Sequence, residues 1–250
     1  MKHALASLII SIFATSLVLS SSAANAQEKP LTEAQVEEIV KKVIKENPDL
    51  IVKSVEMYQM KEQADSLSKA AKNVVAMQGD LQNNPNSPSI GNPNADVTIV
   101  EFFDYHCGYC KRFFPVLTQL LDSDHNLRLV FKEFPILAED SALAAKAALA
   151  VNHIDKNKYL PFHTVLMKSS MGFTMENLTA KAKEIGIDPE DFKKAMQNPD
   201  LDKEISHNKD IAQQLNIAGT PAVIIGNEVI PGAITLDVLK EKVAAARATK

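Results

Sequence analysis

Apolar residues in the first third of the chain recur with a helical period, and those beyond residue 96 gather into short continuous runs. Val36, Ile39, Val40 and Val43 fall at three- and four-residue steps, which places them on one stripe of a helix. Thr32 and Gln35 have the spacing of a capping box, in which two side chains satisfy free N–H groups of the first turn, and Leu31 and Val36 are placed as a hydrophobic staple. Asn47-Pro48 restarts the chain as cap and first helical residue, and this second helix is predicted to run to about Gln78. Its seam, Met57, Met60, Ala64, Leu67, Ala71 and Val74, is narrow and surrounded by charge. Such a stripe is buried either against the rest of the same chain or against the same helix of another copy. The polar, proline-punctuated run Gln82–Ser89 reads as a linker and favours the second arrangement, a helical arm that builds a homo-oligomer.

Further on, Val97–Phe103 and Leu127–Phe134 are β-branched and aromatic, as short buried strands are. Val223–Ile225 and Val229–Ile230, around Gly226-Asn227, form a hairpin signal. Between them, Ser141–Val151, Lys158–Lys168, Met175–Ile185, Asp188–Gln197 and Asp200–Leu215 are predicted helices, and a last one spans about Thr235 to Ala246. Met167, Met171 and Met175 suit core packing or an adaptable peptide-binding surface. The layout is a signal segment at 1–26, an arm at 27–81, a linker at 82–94, and an α/β domain at 95–248 with a helical insertion at about 139–216.

The signal segment rests on the basic start Met1-Lys2-His3, the apolar run Leu8–Leu19 and the small-x-small pattern Ala24-Asn25-Ala26, with cleavage expected before Gln27. The run is short for a membrane span, which needs about 20 residues. Formal net charge is -4 and no basic block occurs, so nucleic acid is not an expected partner. No phosphate-cradling glycine loop or paired-carboxylate constellation is visible.

Export changes the meaning of the two cysteines, Cys107 and Cys110, in Phe102-Phe103-Asp104-Tyr105-His106-Cys107-Gly108-Tyr109-Cys110. A stabilising bridge gains from the length of loop it closes, and this one would close almost nothing. Structural zinc wants four ligands, whereas His106 alone is adjacent and His125, His153, His163 and His207 are scattered. No metal is expected, and a redox-active dithiol remains. Following a strand and opening a helix, Cys107 meets unpaired backbone N–H groups and the positive end of the helix dipole, which favour its thiolate. Cys110, one turn on, is placed to attack a mixed disulfide at Cys107. Glu101 and Lys132 lie on otherwise apolar strands, where a buried charge needs a partner, and each could serve the other; exposed alternation is the competing reading. His106 either tunes the thiolate as a cation or is simply exposed. Thr220-Pro221 precedes a strand, a position that suits proline, and an X-Pro bond is ordinarily trans. Pro135 and Pro231 read as turn residues.

Glu101-Phe102-Phe103 six residues before the first cysteine, the C-x-x-C itself, Pro115 five residues after the second, and Gly219-Thr220-Pro221 downstream resemble the DsbA-like thiol–disulfide oxidoreductases of the thioredoxin superfamily, over roughly residues 90 to 248. The subgroup it looks most like has a helical N-terminal extension and includes oligomeric disulfide isomerases and ScsC-type copper-tolerance proteins. The resemblance implies a thioredoxin fold with an inserted helical domain, preceded by an N-terminal α-helical oligomerisation arm, and no exogenous cofactor. It implies that Cys107 forms the mixed disulfide and Cys110 resolves it, that Glu101 and Lys132 lie under the cysteines, and that Pro221 is cis and faces them. Thr220 would then offer its backbone to an extended substrate strand. The implied location is the periplasm and the implied partners are unfolded or misoxidised exported proteins and a membrane oxidase or reductase, with a homodimer favoured over a trimer. Gly108-Tyr109 departs from the Pro-His of the best-known oxidant, so oxidising strength does not carry over. The alternative within the resemblance is a copper-tolerance protein that holds Cu(I) with the same two thiolates.

Overall fold

The computed structural model describes residues 30–249, and the expected signal segment lies outside them. The chain forms two compact units, one up to Glu56 and one from Met57 onward. In the first, α1 (Glu33–Glu46) opens on the capping box read from sequence: Gln35 N donates to Thr32 Oγ1 at 3.4 Å and Thr32 N donates to Gln35 Oε1 at 3.0 Å. Asn47 ends α1 and Pro48 opens α2 (Pro48–Ala76), which continues into the second unit. Val36, Ile39, Val40, Val43, Leu50, Ile51 and Val55 are all exposed.

The second unit is built on a five-stranded sheet in the order β1 (Ser89–Gly91), β3 (Leu127–Glu133), β2 (Val97–Phe103), β4 (Ala222–Ile225), β5 (Glu228–Pro231). β2 and β3 are parallel, joined through α4 (Gly108–Ser123), and the other pairs are antiparallel. The central strands are covered on both sides, which is why they read as unbroken apolar runs rather than alternation. Alternation along β2 sends Ile99, Glu101 and Phe103 to one face, beside Leu129, Phe131 and Glu133 of β3. That face packs against α4, the C-terminal helix α10 (Leu236–Ala248) and the helices of the insertion. Val100, Phe102 and Val130 face the other way, onto Val74 of α2, Leu81 of the short α3 (Gln78–Gln82) and Ile211 of α9 (Pro199–Gln214).

The insertion consists of α5 (Ser141–Ile154), α6 (Lys156–Met167), α7 (Met175–Glu184), α8 (Pro189–Ala195) and α9, close to the bounds read from sequence. Met167 is buried, whereas Met171 and Met175 are exposed. Pro231 closes β5 rather than lying in a turn; β5 is an edge strand, where a missing N–H is tolerated. Among the described residues no helix is long and apolar enough to cross a membrane.

Residues 82–94 depart most from the sequence reading. They are not a free tether. Ser87 is buried and its hydroxyl donates to Glu204 Oε1 at 2.7 Å, Asn84 Nδ2 donates to Glu204 Oε2 at 2.9 Å, and β1 pairs along β3 with Ile90 beside Leu129. Gly91 has φ +89, and a Cβ there would collide with the Leu127 carbonyl oxygen, so the close approach of β1 requires glycine. Proline and polar composition mark a non-helical segment correctly; they carry no information on whether distant partners satisfy its polar groups.

Candidate active site

The site begins where β2 ends. Asp104 is buried, and its carboxylate ties the turn that follows it to the segment from Ile136 to Ser141. Its Oδ1 accepts from His106 N at 2.7 Å and Ser141 Oγ at 2.9 Å, and its Oδ2 accepts from Ile136 N at 2.8 Å and Leu137 N at 3.0 Å. The Asp104 carbonyl accepts from Cys107 N at 3.0 Å. The short polar residue after an apolar strand is the turn signal that could have singled Asp104 out.

Cys107 occupies the cap of α4, and its Sγ takes the hydrogen bond from Cys110 N at 3.2 Å that a capping oxygen would otherwise take. The same sulfur lies 3.2 Å from the Thr220 carbonyl oxygen, to which the thiol donates. The peptide bond between Thr220 and Pro221 is cis, as the resemblance implied. The two cysteines are unbridged and buried, Cys107 at 4% exposure and Cys110 at 0%. The pKa of Cys107 is pushed down to about 6, first by donation from the Cys110 thiol and then, against the cost of burial, by the Thr220 side chain, not its carbonyl, and by the first amides of α4. Burial pushes the Cys110 thiol far up. The arrangement therefore favours a thiolate at Cys107 and a protonated thiol at Cys110.

Glu101 lies on the face of the sheet that carries the cysteines. Its neighbours are apolar, Phe131 on β3 and Val223 on β4, and neither carboxyl oxygen meets a hydrogen-bond partner among the described residues. Burial, with the charge of Cys107 second, raises its pKa to about 8. Lys132 is not its partner. The register sets Lys132 beside Phe102, so the lysine points to the opposite face, where Nζ donates to the Asp80 carbonyl at 2.6 Å and Ser87 Oγ at 2.7 Å. Burial lowers its pKa to about 8, opposed by the charges of Glu204 and Asp80. Both residues are buried, which decides against exposed alternation, but a one-residue offset in phase puts the sheet between them.

His106 is half-buried, with Nε2 2.7 Å from Asp140 Oδ1. Gly108 and Tyr109 open α4; Tyr109 is 64% exposed, with the Arg112 guanidinium 4.5 Å above its ring. A Cβ at Gly108 would meet only Arg112 Nη1, at 3.6 Å, so no backbone need fixes that residue. Among the described residues there is no cluster of three or more His, Cys, Asp and Glu placed to hold a metal ion. A buried polar group in the same region, formed by Tyr105, Glu133, Tyr159 and His163, had no local signal, because its members are up to 58 residues apart.

A family model described as thioredoxin matches residues 83–245. Disulfide bond formation protein D of Bacillus subtilis is 28% identical over 167 residues, which cover 62% of this chain and 75% of that protein. The thiol-disulfide exchange protein alpha-DsbA2 from Wolbachia pipientis superposes with a TM-score of 0.68 at 32% identity, over 73% of this chain and 97% of that one. Proteus mirabilis ScsC in a transitional conformation gives a TM-score of 0.66 at 29% identity, over 88% of this chain and 100% of that one.

Proposed function

This chain belongs to the thioredoxin family and is a thiol–disulfide oxidoreductase of DsbA-like build, and from that premise we propose that Cys107 and Cys110 exchange disulfides with exported proteins in the periplasm. The observation that carries the reading is the position of the Cys107 sulfur, at the N-terminus of α4 and 3.2 Å from both the Cys110 amide and the Thr220 carbonyl.

The Cys107 thiolate attacks one sulfur of a substrate disulfide; the substrate S–S bond breaks, a mixed disulfide forms, and the other substrate sulfur leaves as a thiolate that takes a proton from solvent. Cys110 then gives up its proton and attacks the Cys107 sulfur, which releases the second substrate thiol and leaves a Cys107–Cys110 disulfide. The substrate has gained two electrons and the enzyme has lost them. Run in reverse, the same steps place a disulfide in a reduced substrate; if a substrate thiolate resolves the mixed disulfide instead, the substrate is isomerised. Glu101 is the base for the Cys110 proton, since a carboxyl with a pKa of about 8 takes and returns a proton near neutrality. Thr220 offers its backbone to the substrate strand. Lys132 stands outside this chemistry. The exposed apolar residues of the first unit, among them Ile39, Val43, Ile51 and Val55, support association of copies through the helical arm, a homodimer in the simplest case.

The test compares the parent with Cys107→Ala and Cys110→Ala on scrambled and on reduced ribonuclease. Cys107→Ala should abolish exchange, and Cys110→Ala should accumulate a mixed disulfide that thiol releases. Exchange that survives Cys107→Ala would sink the reading. Acid-trapping of the dithiol in living cells then decides direction: an oxidised pair marks an oxidase, a reduced pair an isomerase or reductase.

A further inference from the structure

Beneath the turn that carries Cys107 lies a ring of four buried polar side chains for which the exchange reaction above has no use. Glu133 is the last residue of β3, beside Phe103 of β2, and faces the same side of the sheet as Glu101 and the cysteines. It is 1% exposed. Its Oε1 accepts from the hydroxyls of Tyr105 and Tyr159, each at 3.1 Å. His163, fully buried on α6, brings Nδ1 to 3.0 Å from the Tyr105 oxygen and 3.4 Å from that of Tyr159. A phenol has a single proton to give. If Tyr105 spends it on Glu133, its oxygen is left to accept from Nδ1–H of His163. The chain of donation therefore runs His163 to Tyr105 to Glu133.

The two tyrosines are not equivalent. Tyr159 lies on α6, remote in sequence from the cysteines, whereas Tyr105 is two residues before Cys107 in the segment that connects β2 to α4. That segment is held at Asp104 by four hydrogen bonds and at Tyr105 by this ring. The Tyr105 ring also meets Phe103 edge to face at 5.2 Å and Phe173 at 6.2 Å. Those contacts hold the ring by packing alone, and the hydroxyl adds directional bonds to Glu133 and His163. We propose that Glu133 is a positioning residue for the nucleophile: through Tyr105 it fixes the turn that carries Cys107, and so holds the Cys107 sulfur in contact with both the Cys110 amide and the Thr220 carbonyl.

Burial drives the Glu133 carboxyl well above its ordinary range and His163 down to about 3, so it works against the charged form of both, and what the ring offers Tyr105 is a fixed set of hydrogen bonds. A neutral acceptor of the same shape should therefore replace Glu133. The inference rests on Cys107 as the nucleophile, but its test reads the ionisation of Cys107 and not turnover, so the two ideas fail separately.

The experiment is the pH dependence of Cys107 alkylation by iodoacetamide in Tyr105→Phe, Tyr159→Phe, Glu133→Gln and Glu133→Leu. The two tyrosine variants each remove one hydroxyl from the same carboxyl oxygen, and only the first is attached to the turn. Tyr105→Phe should move the profile up by about half a pH unit or more, a loss of about threefold in rate on the acid side, since thiolate fraction there falls tenfold per pH unit. Tyr159→Phe should leave the profile in place. Glu133→Leu should reproduce the Tyr105→Phe shift and Glu133→Gln should restore the parent's profile. Equal shifts in the two tyrosine variants would reduce the ring to a generic part of the core, and no shift in Tyr105→Phe would end the proposal. A shift in Glu133→Gln as large as that in Glu133→Leu would mean that charge matters, which also overturns it. Should Glu133→Leu fail to fold, the tyrosine pair decides alone.

Discussion

Replacing Glu101 by glutamine should stabilise the protein in alkali and leave it nearly unchanged in acid. The carboxyl has the ordinary value of 4.5 in the unfolded chain and is raised to about 8 in the fold, mainly by burial between Phe131 and Val223. Below 4.5 both states hold the proton. Between the two values only the folded protein does, so stability falls as pH rises, by about 1.4 kcal/mol per pH unit. Above about 8 both states are ionised and the whole penalty stands. Across that window it amounts to about 5 kcal/mol, a large part of the stability of an ordinary domain. Glutamine has no ionised form, and its amide leaves polar atoms unpartnered much as the protonated acid does. Urea unfolding of the reduced parent and of Glu101→Gln at several pH values between 5 and 9 gives the difference curve, in which titrating groups not coupled to Glu101 cancel. The curves should nearly coincide at the acid end and separate steadily, with the variant ahead. A constant offset across the range would show that the carboxyl is not held protonated by the fold. The same variant should resolve mixed disulfides more slowly, because the proposed base for the Cys110 proton has gone.

Lys132→Met should cost about 3 kcal/mol, since it strips a buried cation from Ser87, the Asp80 carbonyl and the neighbouring Glu204 charge; Cys107 alkylation should be unchanged, because the sheet lies between. The Cys110 thiol is the largest cause of the low Cys107 pKa, so ultraviolet titration should find Cys107 ionising near 6 in Cys110→Ser, which keeps a donor, and higher in Cys110→Ala. A chain cut after Glu56 should fold, keep Cys107 reactivity and be monomeric by light scattering, whereas a cut at residue 80 should lower thermal stability. The second cut removes fully buried Val74, worth about 1.5–3 kcal/mol, the bond from Asn73 to the Gln214 carbonyl and the carbonyl that receives Lys132.

Much of this protein is decided within a few residues along the chain. The capping box at Thr32, the apolar run Val97–Phe103, the helix opening at Cys107 and the hairpin around Gly226 depend on neighbours close in sequence, and the sequence determines them. The pairing of a cysteine with a helix N-terminus is legible for the same reason. What lies across strands or between distant helices is not. Glu101 and Lys132 look alike on their strands; only the register that sets Glu101 beside Phe131 sends one to the dithiol and the other to the opposite face. Residues 82–94 have the composition of a linker, and the partners that bind them into the domain, Glu204 and Val130, are supplied by an insertion helix and by β3. Tyr105, Glu133, Tyr159 and His163 become one hydrogen-bonded ring only when β3 and α6 meet beneath the active-site turn. A polar side chain carries the demand for a partner in its chemistry, but which partner answers depends on which segments the burial of apolar surface has already brought together.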